Sequence, residues 1–427
     1  MKDKRILIVM GSYVGKRPMY ERARELGAKL VVMDGPGHWT QAATAESLFE
    51  QYIEVDLYPS NTLADRAYQA IRKANLHFDG VATFEEFAGP LTSLLARGLG
   101  LPGHPFLSLA YCRDKTLTRE VCIEAGIPSP RFYRIGSVED IEVAAEQVGF
   151  PAVLKPVSGA SSVATYRVDT LAALHQRYKQ TMEAVREHLK SSDVHSDDEN
   201  ELIWKNGFDM ILEAFLDGEE FDVDCLLSQG EVVYAAVTRD LPQPYLREVG
   251  SQMPPAFPAD KQDELIGFTA QVLQVLGFYH GAFHVEMKYT EQGPRLIGVN
   301  VCIGGPRHQL NRLVWGVDLV EQYLLSCLGL PIQPRKAIEP QTYILTSDLP
   351  SPRSGVIAHT NFLQPLDTHP HVIQKKVNVE VGQFVTGPES GVPDSLGEVM
   401  VFGNSVEAAE QIMAELLAMI NLPLEST

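Results

Sequence analysis

The most informative stretch of this chain is Gly-Pro-Arg-Leu-Ile-Gly-Val-Asn-Val-Cys-Ile-Gly-Gly, residues 293–305. Glu286 stands 14 residues before Asn300, inside another apolar segment, residues 283–288. Two short strands of this kind can place a carboxylate and a carboxamide side by side. Mg²⁺ prefers oxygen ligands and often takes only one or two of them from the protein. The stretch therefore predicts a hairpin that holds Mg²⁺ against the phosphates of a nucleotide.

Composition sets the broad class of the protein. A chain of 427 residues predicts two to four domains. The net charge of -19 argues against binding to nucleic acid or to an anionic membrane surface, since both need a basic face. The five cysteines show no CxxC spacing, which favours reduced thiols and a cytoplasmic protein. The apolar run 6–10 is short and typical of a first buried strand, and no stretch approaches the roughly 20 apolar residues of a membrane span.

The first hundred residues alternate strand-like and helix-like segments, with a strand at 6–10, a helix at 63–74 and a strand at 80–84. This βαβ alternation predicts a parallel sheet covered by helices. The turn after the first strand carries Gly11 and Gly15, where open α/β sheets bind ligands. It lacks Gly-x-Gly-x-x-Gly, which argues against a Rossmann-type oxidoreductase.

The rest of the chain divides at a turn-rich linker, residues 100–105. Two short helices are expected over 106–126, a long amphipathic helix over 169–190 and a polar acidic loop over 191–201. Strands dominate residues 210–305, with one helix near 260–276. Residues 331–427 are expected to form a separate α+β cap that ends in a helix over 406–420.

Two basic strings are candidates for a phosphate site. Lys115 and Arg119 lie four residues apart, which alone indicates only a solvated basic helical face. Lys155 stands near the end of an apolar strand and precedes a loop of small residues, Ser158–Ser162. A lysine on a strand can meet a phosphate as a point charge, and small residues leave backbone N–H groups free for phosphate oxygens. A plain hairpin with a surface lysine is the alternative.

Residues 210–216 form an apolar segment that can act as an interdomain hinge whose backbone contacts adenine. Glu220 follows Gly218 by two positions. Two strands joined by an acidic turn are the alternative.

These strings, in this order over residues 106–305, resemble the ATP-grasp carboxylate–amine ligases, and most closely the L-amino-acid ligase and carnosine-synthase-like branch. Two further strings, residues 34–39 and 83–86, resemble the domain that precedes the nucleotide module in that branch. The resemblance implies an α/β ATP-grasp fold with a Rossmann-like N-terminal domain (1–105), a two-lobed nucleotide-binding module (106–330) with a mobile lid near 131–210, and an α+β C-terminal cap (331–427).

The resemblance also implies a reaction. ATP would phosphorylate a substrate carboxylate, and an amine would attack the acyl phosphate and release phosphate, with ADP as the other product. The cofactors would be ATP and Mg²⁺, the partners small-molecule carboxylates and amines, and a homodimer is compatible with it. Implied metal ligands are Glu286 and Asn300. Implied nucleotide contacts are Lys115, Lys155, Ser158, Gly159, Ser161, Ser162, Glu213, Ala214, Phe215, Leu216 and Glu220. Candidate substrate contacts are His38, Glu85, Glu86, Gly304, Gly305 and His308.

The chain departs from the family pattern Glu-x-Asn-x-Arg at two positions, because Gly298 and Cys302 replace the glutamate and the arginine. Arg307, Arg295 or Lys288 could supply the missing positive charge as catalytic residues. Three hypotheses follow: a ligase with a rearranged site, an ATP-grasp kinase of a hydroxyl or enol substrate, and a nucleotide-binding pseudoenzyme. A substrate-binding module that needs no ATP is a fourth.

Overall fold

A computed structural model describes residues 1–57, 62–158, 164–191, 209–241, 246, 248–390 and 393–424, without the side chains of 184–191 and 390. Three sheets of four or more strands organise this part of the chain. The polar loop predicted over 191–201 lies outside the described residues except for its first residue. Gly159, Ser161 and Ser162 also lie outside them.

The N-terminal sheet is parallel, with strand order β3-β2-β1-β4, as the βαβ alternation predicts. Its strands carry nearly continuous apolar residues because helices cover both faces. The strands are β1 (Arg5–Val9), β2 (Lys29–Asp34), β3 (Gln51–Glu54) and β4 (Gly80–Ala82), and the helices are α1 (Arg17–Glu25), α2 (Trp39–Ala45), α3 (Leu63–Ala74) and α4 (Gly89–Leu99).

Two short helices follow the linker, as predicted, and lead into a second sheet of order β5-β8-β6-β7. Its apolar face packs on α7 and α8 around a core of its own. The elements are α5 (Phe106–Arg113), α6 (Lys115–Glu124), β5 (Phe132–Ile135), α7 (Ile141–Val148), β6 (Ala152–Pro156), β7 (Tyr166–Val168), α8 (Leu171–Ser191) and β8 (Met210–Ala214).

The third sheet has eight strands in the order β13-β12-β9-β10-β11-β14-β18-β16. One face packs on α9 and the other on α10 and α11. The elements up to residue 327 are β9 (Glu219–Ser228), β10 (Glu231–Asp240), β11 (Ser251–Met253), α9 (Ala259–Val275), β12 (Gly281–Thr290), β13 (Gly293–Asn300), α10 (Arg307–Trp315) and α11 (Leu319–Cys327).

The C-terminal segment differs from the expectation of a separate cap. Its strands β14, β18 and β16 continue the eight-stranded sheet, because β11 pairs with β14. The predicted final helix is present, and a local core lies beneath it. The elements are β14 (Tyr343–Pro350), β15 (Gly355–Val356), β16 (Val372–Val377), β17 (Phe384–Val385), β18 (Ser395–Gly403) and α12 (Val406–Met419).

In the described part of the chain, no helix is both long enough and apolar enough to cross a membrane.

Candidate active site

A cavity of about 630 Å³ lies where the three sheets meet. The second sheet contributes Lys155 and the segment 213–216, and the large sheet contributes the β12–β13 hairpin. The N-terminal domain contributes the loop after β1 and the segment 84–87. Open α/β sheets commonly bind ligands beyond the carboxyl ends of their strands, and both N-terminal segments lie there.

The β12–β13 hairpin forms as the sequence predicts. Glu286 pairs with Gly298 and His284 pairs with Asn300 across the two strands. Alternation along the strands places Glu286 and Asn300 on the same face. The Asn300 amide donates a hydrogen bond of 2.9 Å to Glu286 Oε1. The carboxylate and the carboxamide are therefore adjacent, as a shared metal ion would require.

Three cations on α6 and β6 form a basic wall of the cavity. Glu213 accepts a hydrogen bond from Arg119 at 2.7 Å and forms an ion pair with Lys155 at 2.6 Å. Burial disfavours its ionisation, but the charges of Arg119 and Lys155 outweigh burial and lower the pKa of Glu213 to about 2. Arg119 is 1% exposed, so the interpretation of a solvated basic face is wrong for this residue.

Lys115 is the third cation. Asp114 caps the N-terminus of α6 by accepting from the backbone of Thr116 and Leu117, and this fixes Lys115 at the first helical position. Burial, followed by the neighbouring charge of Lys155, lowers the pKa of Lys115 to about 8. An anion bound here would favour the protonated form.

The loop that follows Lys155 is fixed at its base. Ser158 donates to the Arg113 carbonyl at 2.9 Å, and Arg113 donates to the Ser158 carbonyl at 3.3 Å. Arg113 also forms an ion pair with Glu86 and lies over the Phe87 ring. This arrangement links the start of the small-residue loop to the N-terminal segment that lines the cavity.

The large sheet turns an acidic face toward the cavity. On β9 and β12, Asp222 pairs with Glu286 and Glu220 pairs with Lys288. Burial, followed by the neighbouring carboxylates, raises the pKa of Glu220 to about 7. Asp222 is 1% exposed, and its Oδ1 has no hydrogen-bond partner among the described residues. Asp240 and Glu248 complete this acidic end of the cavity.

Arg307 lies beneath the acidic end rather than in the cavity. It is 2% exposed and forms ion pairs with Asp222, with Asp240 at 3.5 Å and with Glu248 at 3.1 Å. Its charge is therefore shared among carboxylates, which argues against Arg307 as the replacement for the missing arginine.

His284 lies on β12, two residues before Glu286. Its imidazole donates toward Asp224 at 2.9 Å and lies 3.7 Å from Asp222. Burial lowers its pKa, but these two carboxylates outweigh burial and raise it to about 9. His284 is thus a buried residue of the hairpin itself, and the two carboxylates favour its charged form.

Other predicted contacts lie apart from the cavity. Arg295 donates to Gln292 and Pro294 at the hairpin turn. His38 bonds to Asp34 and Thr40 within the N-terminal domain, and His308 has a buried Nδ1 without a partner among the described residues. The predicted site residues that do line the cavity are Glu85, Glu86, Lys115, Lys155, Glu213, Ala214, Phe215, Leu216, Glu220, Glu286, Lys288, Asn300, Gly304 and Gly305.

The acidic face of the large sheet was not predicted from the sequence. Glu220, Asp222 and Asp224 alternate with Phe221 and Val223, and this period of two was the signal available. Nor was Lys16 predicted, which lies in the glycine-bearing turn after β1 and lines the cavity.

Two family models match the chain: an ATP-grasp N-terminal domain over residues 20–103 and an ATP-grasp domain over residues 148–306. The fold and these matches place the chain among the ATP-grasp proteins. An L-amino acid ligase from Bacillus licheniformis has the same fold, with a TM-score of 0.81 and 22% identity over the whole of both chains.

Curated relatives include carnosine synthase 1 of Gallus gallus, which is 29% identical over 78% of this chain and 36% of that protein. Another is an L-arginine-specific L-amino acid ligase of Bacillus subtilis, 25% identical over 53% of this chain and 52% of that protein. The chain thus spans about a third to a half of the length of these relatives.

Proposed function

We propose that the protein joins a carboxylate to an amine at the expense of ATP. The observation that carries this proposal is the cavity itself. It brings a basic wall, a carboxylate–carboxamide pair and two segments of the N-terminal domain together around one space. The relatives named above as amino-acid ligases and carnosine synthase support it.

The reaction follows from the charges. Lys115 and Lys155 bind the ATP phosphates, with Lys155 held in place by Glu213. A carboxylate oxygen of the substrate attacks the γ-phosphorus and ADP leaves. The amine then attacks the acyl carbon, phosphate leaves, and the amine loses a proton. The protein acts mainly by positioning the reactants and neutralising charge that spreads in the transition state.

Glu286 and Asn300 suit a magnesium ion because both offer oxygen and lie within hydrogen-bond distance of each other. Bound there, Mg²⁺ would neutralise phosphate charge. The amide of Asn300 would present its oxygen rather than its nitrogen to the metal.

The acidic end of the cavity affects which amine substrates are favoured. Asp222, Asp240 and the half-exposed Glu248 line the cavity there. Such a surface favours a cationic group, so we expect amine partners with basic side chains to react better than acidic ones.

The test is ADP release from Mg·ATP against a matrix of amino acids offered as acid and amine. Release that requires both partners, with a new amide product by mass spectrometry, is the expected result. Glu286→Gln should abolish it while the fold persists. Release with one hydroxyl-bearing partner would indicate a kinase, and nucleotide binding without release for any pair would contradict the ligase.

A homodimer stays a prediction, to be checked by light scattering of the purified protein.

A further inference from the structure

We propose that Lys16 supplies the positive charge that Cys302 lacks, binding the anionic carboxylate or acyl phosphate of the substrate. This inference rests on the proposed function. It assigns an anion-binding role to a residue of the N-terminal domain, outside the nucleotide module.

The position of Lys16 is the first argument. Its ammonium donates 2.8 Å to the carbonyl of Ile303, the residue after Cys302. The side chain of Lys16 is 6% exposed and lines the cavity, as does Cys302. One carbonyl acceptor leaves two of the three ammonium protons able to bind an anion.

Cys302 itself offers no charge at this position. Its thiol is buried and carries no cationic group, so Cys302 cannot replace the guanidinium of the family arginine. Arg307 is committed to carboxylates, and Arg295 lies at the hairpin turn. Lys288 donates to the Gly218 carbonyl and pairs with Glu220 at 3.7 Å. Of these candidates and Lys16, it is Lys16 that combines a positive charge with direct access to the cavity at Cys302.

The loop that carries Lys16 is held in place. Met10 and Ser12 adopt left-handed conformations, with φ of 60° and 55°, which cost non-glycine residues energy. The Trp39 indole donates to the Ser12 carbonyl at 2.7 Å, and Gly11 N–H donates to Asp34 at 2.6 Å. Strained and over-determined loops of this kind are concentrated at ligand sites.

A purely structural role is the competing explanation, in which Lys16 only ties the N-terminal loop to Ile303. Two substitutions separate the roles. Lys16→Met roughly keeps the length of the side chain and removes its charge, whereas Lys16→Arg keeps the charge. Lys29→Met is the matched control, since Lys29 is an exposed lysine of the same domain, paired with Asp3 at 3.2 Å.

The first measurement is calorimetric titration of inorganic phosphate into protein saturated with Mg·ADP. We expect Lys16→Met to weaken phosphate binding about tenfold or more, the effect of losing one charged hydrogen bond. Lys16→Arg should retain most of the affinity, and the affinity for Mg·ADP should be unchanged in both. Equal phosphate affinity in the wild type and in Lys16→Met would overturn the proposal.

The second measurement uses the amino-acid pair that the ADP-release matrix identifies. Lys16→Met should raise KM for the carboxylate partner and lower kcat, without affecting KM for ATP. The double variant Lys16→Met/Cys302→Arg should recover part of the activity, because the arginine restores a positive charge in the cavity lining at position 302. Charge-dependent phosphate binding without turnover for any pair would refute the ligase and retain the anion site.

Discussion

At the scale of single residues, Glu213 holds the basic wall together. Its carboxylate satisfies both Arg119 and Lys155 in a buried setting. Removing one member of a buried ion pair leaves charge uncompensated and typically costs about 3 kcal/mol or more. Glu213→Gln should therefore lower the free energy of unfolding by about that amount in urea titrations.

The control for this change is Glu219→Gln. Glu219 is half-exposed and pairs with Arg239 at the surface, so its loss should cost less than about 1 kcal/mol. Equal stabilities of the two variants would contradict the role given to Glu213.

The lowered pKa of Lys115 predicts that nucleotide affinity depends on pH. Its pKa of about 8 means that the ammonium is present below that value and is lost as the pH rises through it. Affinity for a non-hydrolysable Mg·ATP analogue should fall between about pH 7 and about pH 9.5, with a midpoint displaced upward by the bound phosphates. Calorimetric titration at several pH values measures this.

Arginine stays protonated throughout that range, so Lys115→Arg should show a flatter pH profile. A wild-type profile without a decline, or a decline of the same size in the arginine variant, would show that another group controls nucleotide affinity.

At the scale of elements, the β12–β13 hairpin has room at Gly298 for the Cβ of the family glutamate. A Cβ at Gly298 would lie 3.4 Å from Glu286 Oε2, an ordinary contact. Gly298→Glu adds a carboxylate beside Glu286 and Asn300, the proposed metal ligands. We expect Mn²⁺ affinity of the nucleotide complex to rise about tenfold, since another charged oxygen ligand strengthens the site.

Without metal, the same carboxylate repels Glu286, so the melting temperature of metal-free Gly298→Glu should fall. Gly298→Gln adds similar bulk without charge and should change neither quantity much. Gains of equal size in both variants would show that bulk, rather than an added ligand, is responsible.

The elements also show what the sequence could and could not predict. The helices at 63–74, 106–126 and 406–420 and the hairpin around Glu286 follow from local patterns, and the structure confirms them. The burial of Arg119 could not be predicted, because its partner Glu213 lies 94 residues away. The pairing of β11 with β14 is equally nonlocal, and three-residue β11 gave no pattern to recognise.

At the scale of the whole molecule, α11 joins the N-terminal domain to the large sheet. The Tyr323 hydroxyl donates to the Thr83 carbonyl at 2.9 Å and accepts from the Thr83 N–H at 3.1 Å. Arg22 adds an ion pair with Asp318, 2.6 Å long, just before α11. Because Thr83 begins the segment that carries Glu85 and Glu86, these contacts set the position of the N-terminal wall of the cavity.

Tyr323→Phe should therefore affect the two halves of the site unequally. The ring stays packed against Phe84, but the buried N–H and carbonyl of Thr83 lose their partner, which costs about 1–3 kcal/mol. We expect KM for the carboxylate partner to rise several-fold while nucleotide affinity is unchanged, because Lys115 and Lys155 lie on other elements. Tyr279→Phe, at a residue 59% exposed, is the control. Parallel losses in nucleotide and carboxylate affinity would mean that α11 supports the cavity as a whole rather than its N-terminal wall.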